Sequence, residues 1–228
     1  MKERDGYMGV RDFPGDLIRA YTDVGFIYHS PRVTIWKDPL IEATRTKALG
    51  LMHKQVVKDS SMSRTGGPDY VITMRKPGEN AEPITHKPSG FDSYIGEMPA
   101  PNERKESDPH TNKYSHIVWQ RYASPVWFDI RQGNTLQHES ARENDDERHI
   151  CPLQLDVIER CMTLWSNPGN LVFSPFAGIG SEGWCALKMG RRFVGAELKR
   201  SYWEVACRNL KHAENVSQGD LFAAEAAQ

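Results

Sequence analysis

The residues best suited to chemistry lie toward the C-terminal end of this 228-residue chain. They form the string Leu171-Val172-Phe173-Ser174-Pro175-Phe176-Ala177-Gly178-Ile179-Gly180-Ser181, followed after a helical stretch by Phe193 to Glu197. A glycine loop directly after a strand lets the backbone approach a ligand closely, and the helix that follows starts with free N–H groups. An acidic residue at the tip of the next strand can take both hydroxyls of a ribose. Glu197 holds that place, 17 residues beyond Gly180, a spacing that suits an adenosyl ligand lying across the strand ends. Without a ligand the string would be a tight strand-to-helix turn. The Pro-Phe before the glycines and the acid after them favour the nucleoside reading.

A second charged feature lies upstream. Between Arg45 and Lys76 stand seven basic residues (Arg45, Lys47, Lys54, Lys58, Arg64, Arg75, Lys76) against two acidic ones, Asp59 and Asp69, an excess of five. The whole chain carries a formal charge of -1, so it is no general polyanion binder, and this stretch stands out. Arg45, Lys47, Lys54, Lys58 and Arg64 would suit phosphate contacts, which position DNA without reading it; the alternative is a solvated helix face. Trp36, Trp119 and Tyr122 are stacking candidates or core. The eight histidines show no metal-ligand spacing, so no metal is expected. The four cysteines, Cys151, Cys161, Cys185 and Cys207, form no CxxC pair and read as buried free thiols.

The elements that must position these groups follow from pattern. The C-terminal part, residues 149–228, reads as helix, strand, glycine loop, helix, strand, helix, a unit of parallel-sheet type. In it, Pro152 opens a helix as its first-turn residue, with Leu155, Ile158, Met162 and Trp165 on one face. Leu171–Phe173 is a short buried strand, Glu182–Met189 a helix closed by Gly190, Phe193–Glu197 a strand, and Ser201–Ala213 a helix. Residues 1–80 alternate strands (Gly25–Lys37, Tyr70–Lys76) with a short helix at Asp16–Asp23 and a helix-like stretch at Glu42–Val57. Residues 81–148 are polar and rich in proline, a loop-rich insert in which only His116–Ile130 looks ordered, with Ile117 to Ala123 as a candidate strand. No run reaches the roughly 18–20 apolar residues of a membrane helix, and the charged N-terminus has no signal-type apolar region. A cytoplasmic protein with no membrane partner is expected.

Ser174-Pro-Phe-Ala-Gly-Ile-Gly-Ser181 resembles the DPFxGxGT motif of the amino-methylating DNA methyltransferases that use S-adenosylmethionine. His149-Ile-Cys-Pro152, with Leu155 and Ile158-Glu159-Arg160, resembles their HPxxKP…L motif, and the wider context resembles the phage and prophage members. The resemblance implies a Rossmann-like α/β sheet, S-adenosylmethionine as cofactor, and double-stranded DNA as partner. It also implies methyl transfer to the exocyclic amine of adenine or cytosine, by hydrogen bonding to the amine so that nitrogen attacks the methyl sulfonium in line. Pro152, Ser174, Pro175, Phe176, Gly178, Gly180, Ser181 and Glu197 fall on the cofactor-binding positions. The family's leading Asp is Ser174 here, which removes one carboxylate near the methionine amino group.

The family's catalytic motif, Asp/Asn/Ser-Pro-Pro-aromatic, is expected upstream of residue 100 in this arrangement, and no such string stands there. Ser124-Pro125-Val126-Trp127 is a partial match. Ser124 and the Pro125 carbonyl could accept hydrogen bonds from the target amine, and Trp127 could stack on a flipped base. Its alternative is a structural segment. The sequence therefore reads as a methyltransferase sheet lacking its catalytic-half strands, truncated at the N-terminus and prone to self-association through an unpaired strand edge. Two further readings stay open. One is a non-catalytic DNA- or cofactor-binding half that needs a separately encoded catalytic half, or a decayed reading frame. The other is a methyltransferase acting on RNA.

Overall fold

A computed structural model describes residues 2–4, 7–38, 49–62, 67–136 and 152–225. They fall into two compact units, one formed by residues 1–82 and 120–128, the other by residues 83–119 and 129–228. The proline-rich middle stretch is thus divided between the two.

In the first unit, β1 (Lys2–Arg4) and β2 (Tyr7–Gly9) form an antiparallel pair. Helix α1 (Phe13–Asp23) starts where the Asp12 carboxylate accepts the Gly15 N–H at 3.2 Å, with Pro14 in the first turn, where a missing N–H costs nothing. The aromatic stretch after α1 divides into β3 (Ile27–Tyr28) and β4 (Val33–Ile35). Helix α2 (Leu49–Lys58) follows, then β5 (Asp69–Val71) and β6 (Met74–Arg75). Strand β4 pairs antiparallel with β5, and β3 with β6, so the two aromatic runs read from sequence are partners. On its other side β4 pairs in parallel with β7 (Val126–Trp127), with Ile35 opposite Trp127. Both of those side chains are 1% exposed and form the unit's core.

The expected strand at Ile117–Ala123 is instead part of helix α3 (Lys113–Tyr122). Tyr114, Val118 and Tyr122 fall four residues apart and are all buried. That period is helical, and it overrides the β-branched and aromatic composition on which the strand reading rested.

The second unit holds α4 (Leu155–Trp165), β8 (Leu171–Ser174), α5 (Ser181–Lys188), β9 (Arg192–Gly195) and α6 (Arg200–Glu225). Strands β8 and β9 are parallel, in register from Leu171 opposite Arg192 to Ser174 opposite Gly195. Ile158 and Met162 of α4 pack on Cys185 and Ala186 of α5, with Val172 and Phe193 from the strands against them. Gly183 lets α5 lie close to the sheet: a Cβ there would stand 2.6 Å from the Phe193 ring. Arg191 closes the far end of α4, donating from its guanidinium to the Ser166 carbonyl at 2.8 Å and to the Ser166 hydroxyl at 3.2 Å.

Three local expectations are corrected. Pro152 lies ahead of α4, whose N-cap is Gln154 in extended backbone, so it leads into the helix rather than opening it. Strand β8 is not buried on both sides: Leu171 and Phe173 are exposed, while Val172 packs against the helices. Cys207 is exposed rather than buried. Cys161 and Cys185 are free thiols, and burial pushes the Cys161 thiol up to about 12. Cys151 lies outside the described residues.

Two buried carboxylates tie the second unit's loops to α4. Asp129 meets Arg160 at 2.7 Å, both nearly inaccessible, and accepts the Tyr94 hydroxyl, while Arg160 also donates to the Ile95 carbonyl. Asp156 receives the Arg131 guanidinium at 2.6 Å, the Arg131 backbone N–H at 2.9 Å and the Asn134 amide at 2.7 Å. Burial works against both charges, but these partners outweigh it and hold both carboxyls below their ordinary range.

Candidate functional site

The site grows out of the parallel pair β8–β9. Strand β8 ends at Ser174, which is buried, and the chain turns through Pro175 and the exposed Phe176 into the glycine loop. The two loop glycines are required for different reasons. Gly178 has φ +53°, and a Cβ built on it meets nothing within 4 Å, so the backbone here faces open space. Gly180 has φ +87°, and its Cβ would lie 3.3 Å from Ala206 of α6. Gly178 therefore leaves room for a ligand, whereas Gly180 serves packing as well as the left-handed turn that starts α5. Ile179, between them, is buried against Val205, with Tyr202 alongside. The Asn209 side chain of α6 donates to the Ile179 carbonyl at 2.9 Å and anchors the loop from behind.

Glu197 comes to the loop from the end of β9. Its Oε2 accepts the Gly178 N–H at 2.8 Å and its Oε1 accepts the Lys199 N–H at 2.9 Å. The carboxylate is thus fixed at the mouth of the loop, half-buried, with lone pairs left for further donors. Leu198, fully exposed beside it, and Phe176 are apolar surfaces at the same rim. Ser181 is buried in the first turn of α5. Of the expected cofactor residues, Ser174, Gly178, Gly180, Ser181 and Glu197 are brought together by β8, α5 and β9. Pro152 precedes α4 and is half-buried.

Sequence reasoning missed Glu182. It stands half-buried in the first turn of α5. Burial raises its carboxyl above the ordinary range. An acid one residue into the helix after a glycine loop was the signal available.

Of the groups considered for catalysis in Ser124–Trp127, Trp127 is not placed to stack on a base. The Pro125 carbonyl accepts the Thr34 N–H at 2.9 Å as a rung between β7 and β4. The Ser124 hydroxyl donates to the Val126 carbonyl at 2.8 Å, closing a local turn. Trp127 is buried, and its indole N–H donates to the Tyr122 carbonyl at 3.0 Å, which leaves no ring face to stack on a base. Ser124 and Pro125 lead into β7 and Trp127 lies in it. Tyr122 is likewise core, while Trp36 and Trp119 are exposed.

Of the basic residues, Lys54 and Lys58 lie on α2 and both are exposed. Arg45, Lys47 and Arg64 lie outside the described residues. No helix among the described residues is long and apolar enough to cross a membrane.

Comparison with known proteins places these features in context. The family model described as DNA methylase, of the N6/N4 type, matches residues 34–208. The DNA adenine methyltransferase YhdJ of Escherichia coli K12 is 33% identical over 91 residues, 39% of this chain and 31% of that protein. The type II methyltransferase M.BglII of Bacillus subtilis is 33% identical over 80 residues, 34% of this chain and 22% of that protein. The chain thus spans less than a third of the length of these curated relatives. Among solved structures, a Thermus thermophilus protein assigned as a DNA modification methylase, complexed with S-adenosyl-L-methionine, superposes with a TM-score of 0.56 at 18% identity. The match covers 92% of this chain and 64% of that one. The likeness is one of fold: an α/β sheet of Rossmann-like type, represented here by small strand groups.

Proposed function

The chain belongs to the DNA methylase family, and from that premise we propose that its glycine loop binds S-adenosylmethionine for methyl transfer to an exocyclic amine of adenine or cytosine in DNA. The observation that carries this reading is Glu197 locked to the Gly178 N–H at 2.8 Å, beside a loop backbone that faces open space. A ribose diol donates two hydrogen bonds, and a carboxylate so fixed can accept them without reorganising. Phe176 and Leu198 offer apolar cover for the base, and Gly178 admits the chain that joins ribose to amino acid. When bound, the cofactor supplies an electrophilic methyl group on a sulfonium. This chain's residues hold the nucleoside, orient that methyl group and keep water from the loop's inner face. Trp127 is buried in the core, so it is not assigned to the target base.

Calorimetry with S-adenosylmethionine tests the cofactor reading. Glu197→Ala should weaken binding by about 1.5–3 kcal/mol for each charge-assisted hydrogen bond lost. Unchanged affinity sinks the assignment. Labelled methyl transfer to duplex DNA, with and without a complementing polypeptide, tests the reaction itself.

Lys54 and Lys58 are proposed as phosphate contacts that hold the duplex. Replacing both with Gln should flatten the log–log salt dependence of DNA binding by about two units, at ~0.9 per phosphate. A wild-type slope would return α2 to a solvated surface helix.

A further inference from the structure

We propose that the outer face of the three-stranded sheet β5–β4–β7 is a stacking platform for an unpaired DNA strand. The inference rests on the reading that this chain binds DNA and does not depend on the cofactor reading. Side chains alternate between the two faces of a strand. Ile35 and Trp127 take the core face, so Arg32, Thr34 and Trp36 along β4, with Val126 and Phe128 along β7, take the other. Tyr70 of β5 stands opposite Thr34 and shares that outer face. The ladder runs on past β4: the Trp36 N–H donates to the Trp127 carbonyl at 2.9 Å, which sets Trp36 beside Phe128. Tyr70, Trp36 and Phe128 are 39%, 47% and 55% exposed, while Ile35 and Trp127 on the opposite face are buried.

Three rings and a guanidinium on one sheet face are the parts of a single-strand site, in which bases stack on aromatics and cations follow the backbone. The Arg32 guanidinium lies over the Tyr70 ring, 4.8 Å from its centroid, and stands 3.8 Å from the Asp12 carboxylate. Positive charge is thus held at the Tyr70 end of the platform. The spacing separates a single strand from a duplex. Trp36 and Phe128 lie on neighbouring strands about 5 Å apart, and Tyr70 is diagonal to Trp36 at about 7–8 Å. Bases stacked in a duplex rise by about 3.4 Å and show a protein their edges and phosphates. Rings set farther apart than that receive bases that have left the stack. Aromatics and arginine also serve protein interfaces; DNA is favoured because the DNA methylase match, residues 34–208, takes in Trp36, Tyr70 and Phe128. Stacking tolerates any base, so this face holds a strand without reading it.

Fluorescence anisotropy of the full chain with a labelled oligothymidylate, beside a blunt duplex carrying the same label, tests the proposal. Trp36→Ala and Phe128→Ala should each weaken the single strand about tenfold, the loss of one stacked base. Both should leave duplex affinity and the log–log salt slope as in wild type, because no phosphate contact is removed. Trp36→Phe, which keeps a ring, should retain most of the single-strand affinity. If Trp36→Ala fails to fold, Trp36→Leu keeps the apolar cover, removes the ring and should show the same loss. The proposal is overturned if the ring-deleting variants bind the single strand as wild type does, if they weaken the duplex equally, or if they flatten the salt slope. It is also overturned if sedimentation shows that the face is closed in a dimer of this chain, which Phe128→Ala dissolves without changing single-strand affinity. A wild-type chain that binds the duplex and not the single strand overturns this inference and leaves the DNA reading standing. One that binds neither removes both.

Discussion

Asp129 and Asp156 lie beneath the loops that lead into α4; Glu182 and Glu197 lie at the glycine loop. Each of the first pair is met by an arginine and by further donors, and both are held below the ordinary carboxylate range although burial acts against them. At the glycine loop the donors are two backbone amides on Glu197, and burial dominates for Glu182, whose carboxyl is raised. The contrast separates charge that the protein compensates for itself from charge left for something that binds. In the second unit, a carboxylate's cationic partner is therefore a better guide to its role than its burial.

Breaking the Asp129–Arg160 pair should have the largest effect. Asp129→Ala leaves a nearly inaccessible guanidinium without its carboxylate and should cost about 3–5 kcal/mol of stability in urea unfolding. Replacing both partners, Asp129→Leu with Arg160→Met, should return much of that loss. A single variant as stable as wild type would place Asp129 with the glycine-loop acids and dissolve the contrast. Gly180→Ala comes next. Its positive φ and the 3.3 Å approach to Ala206 should cost about 1–2 kcal/mol, seen by the same unfolding. Gly178→Ala, facing open space, should cost only the conformational part of that and act chiefly on nucleoside affinity.

How much of this is legible in sequence differs between the two regions for a physical reason. The glycine loop, Glu197 and the order of the last five elements can be read because local rules govern them: a strand, two left-handed glycines, a helix start and an acid at the next strand tip. Asp129 and Asp156 give no such sign, because their partners lie 22 residues or more away and meet only through folding. The SPVW string misleads for the same reason. Whether Trp127 stacks on a base or fills a core depends on β4, whose residues stand some ninety positions earlier in the chain. In helix α3 composition and period disagree, and the period prevails.

The two carboxylate sets should also separate in pH. Asp129 and Asp156 have depressed folded values, so their stabilisation is present above the unfolded value near 3.8 and is lost as pH falls through the lower folded value. Glu182 and Glu159 have raised folded values, through burial first and, for Glu159, the nearby Asp156 charge second. Between their raised values and the ordinary 4.5 the folded state binds more protons than the unfolded chain, so these two groups add stability as pH falls through that window. Thermal unfolding against pH should therefore show a shallow gain on mild acidification and a steep loss below about pH 4. Asp129→Ala should shrink the steep limb and leave the shallow one.

The smallest expected effect is the one that most sharpens the comparison. Glu182→Gln removes a half-buried charge whose carboxyl burial raises above its ordinary range. A group serving the fold would destabilise the chain when altered; a group held for a ligand should do the reverse when the ligand is absent. Glu182→Gln should therefore raise stability at pH 7 by about 0.5–1 kcal/mol, or ~1–4 °C in melting temperature for a chain of this size. It should also remove the Glu182 share of the shallow acid-side gain, leaving that of Glu159. If Glu182→Gln melts below wild type without ligand, Glu182 belongs with Asp129 and Asp156 as a structural carboxylate. The ligand-free melting temperatures of the two proteins are the measurement that distinguishes these cases.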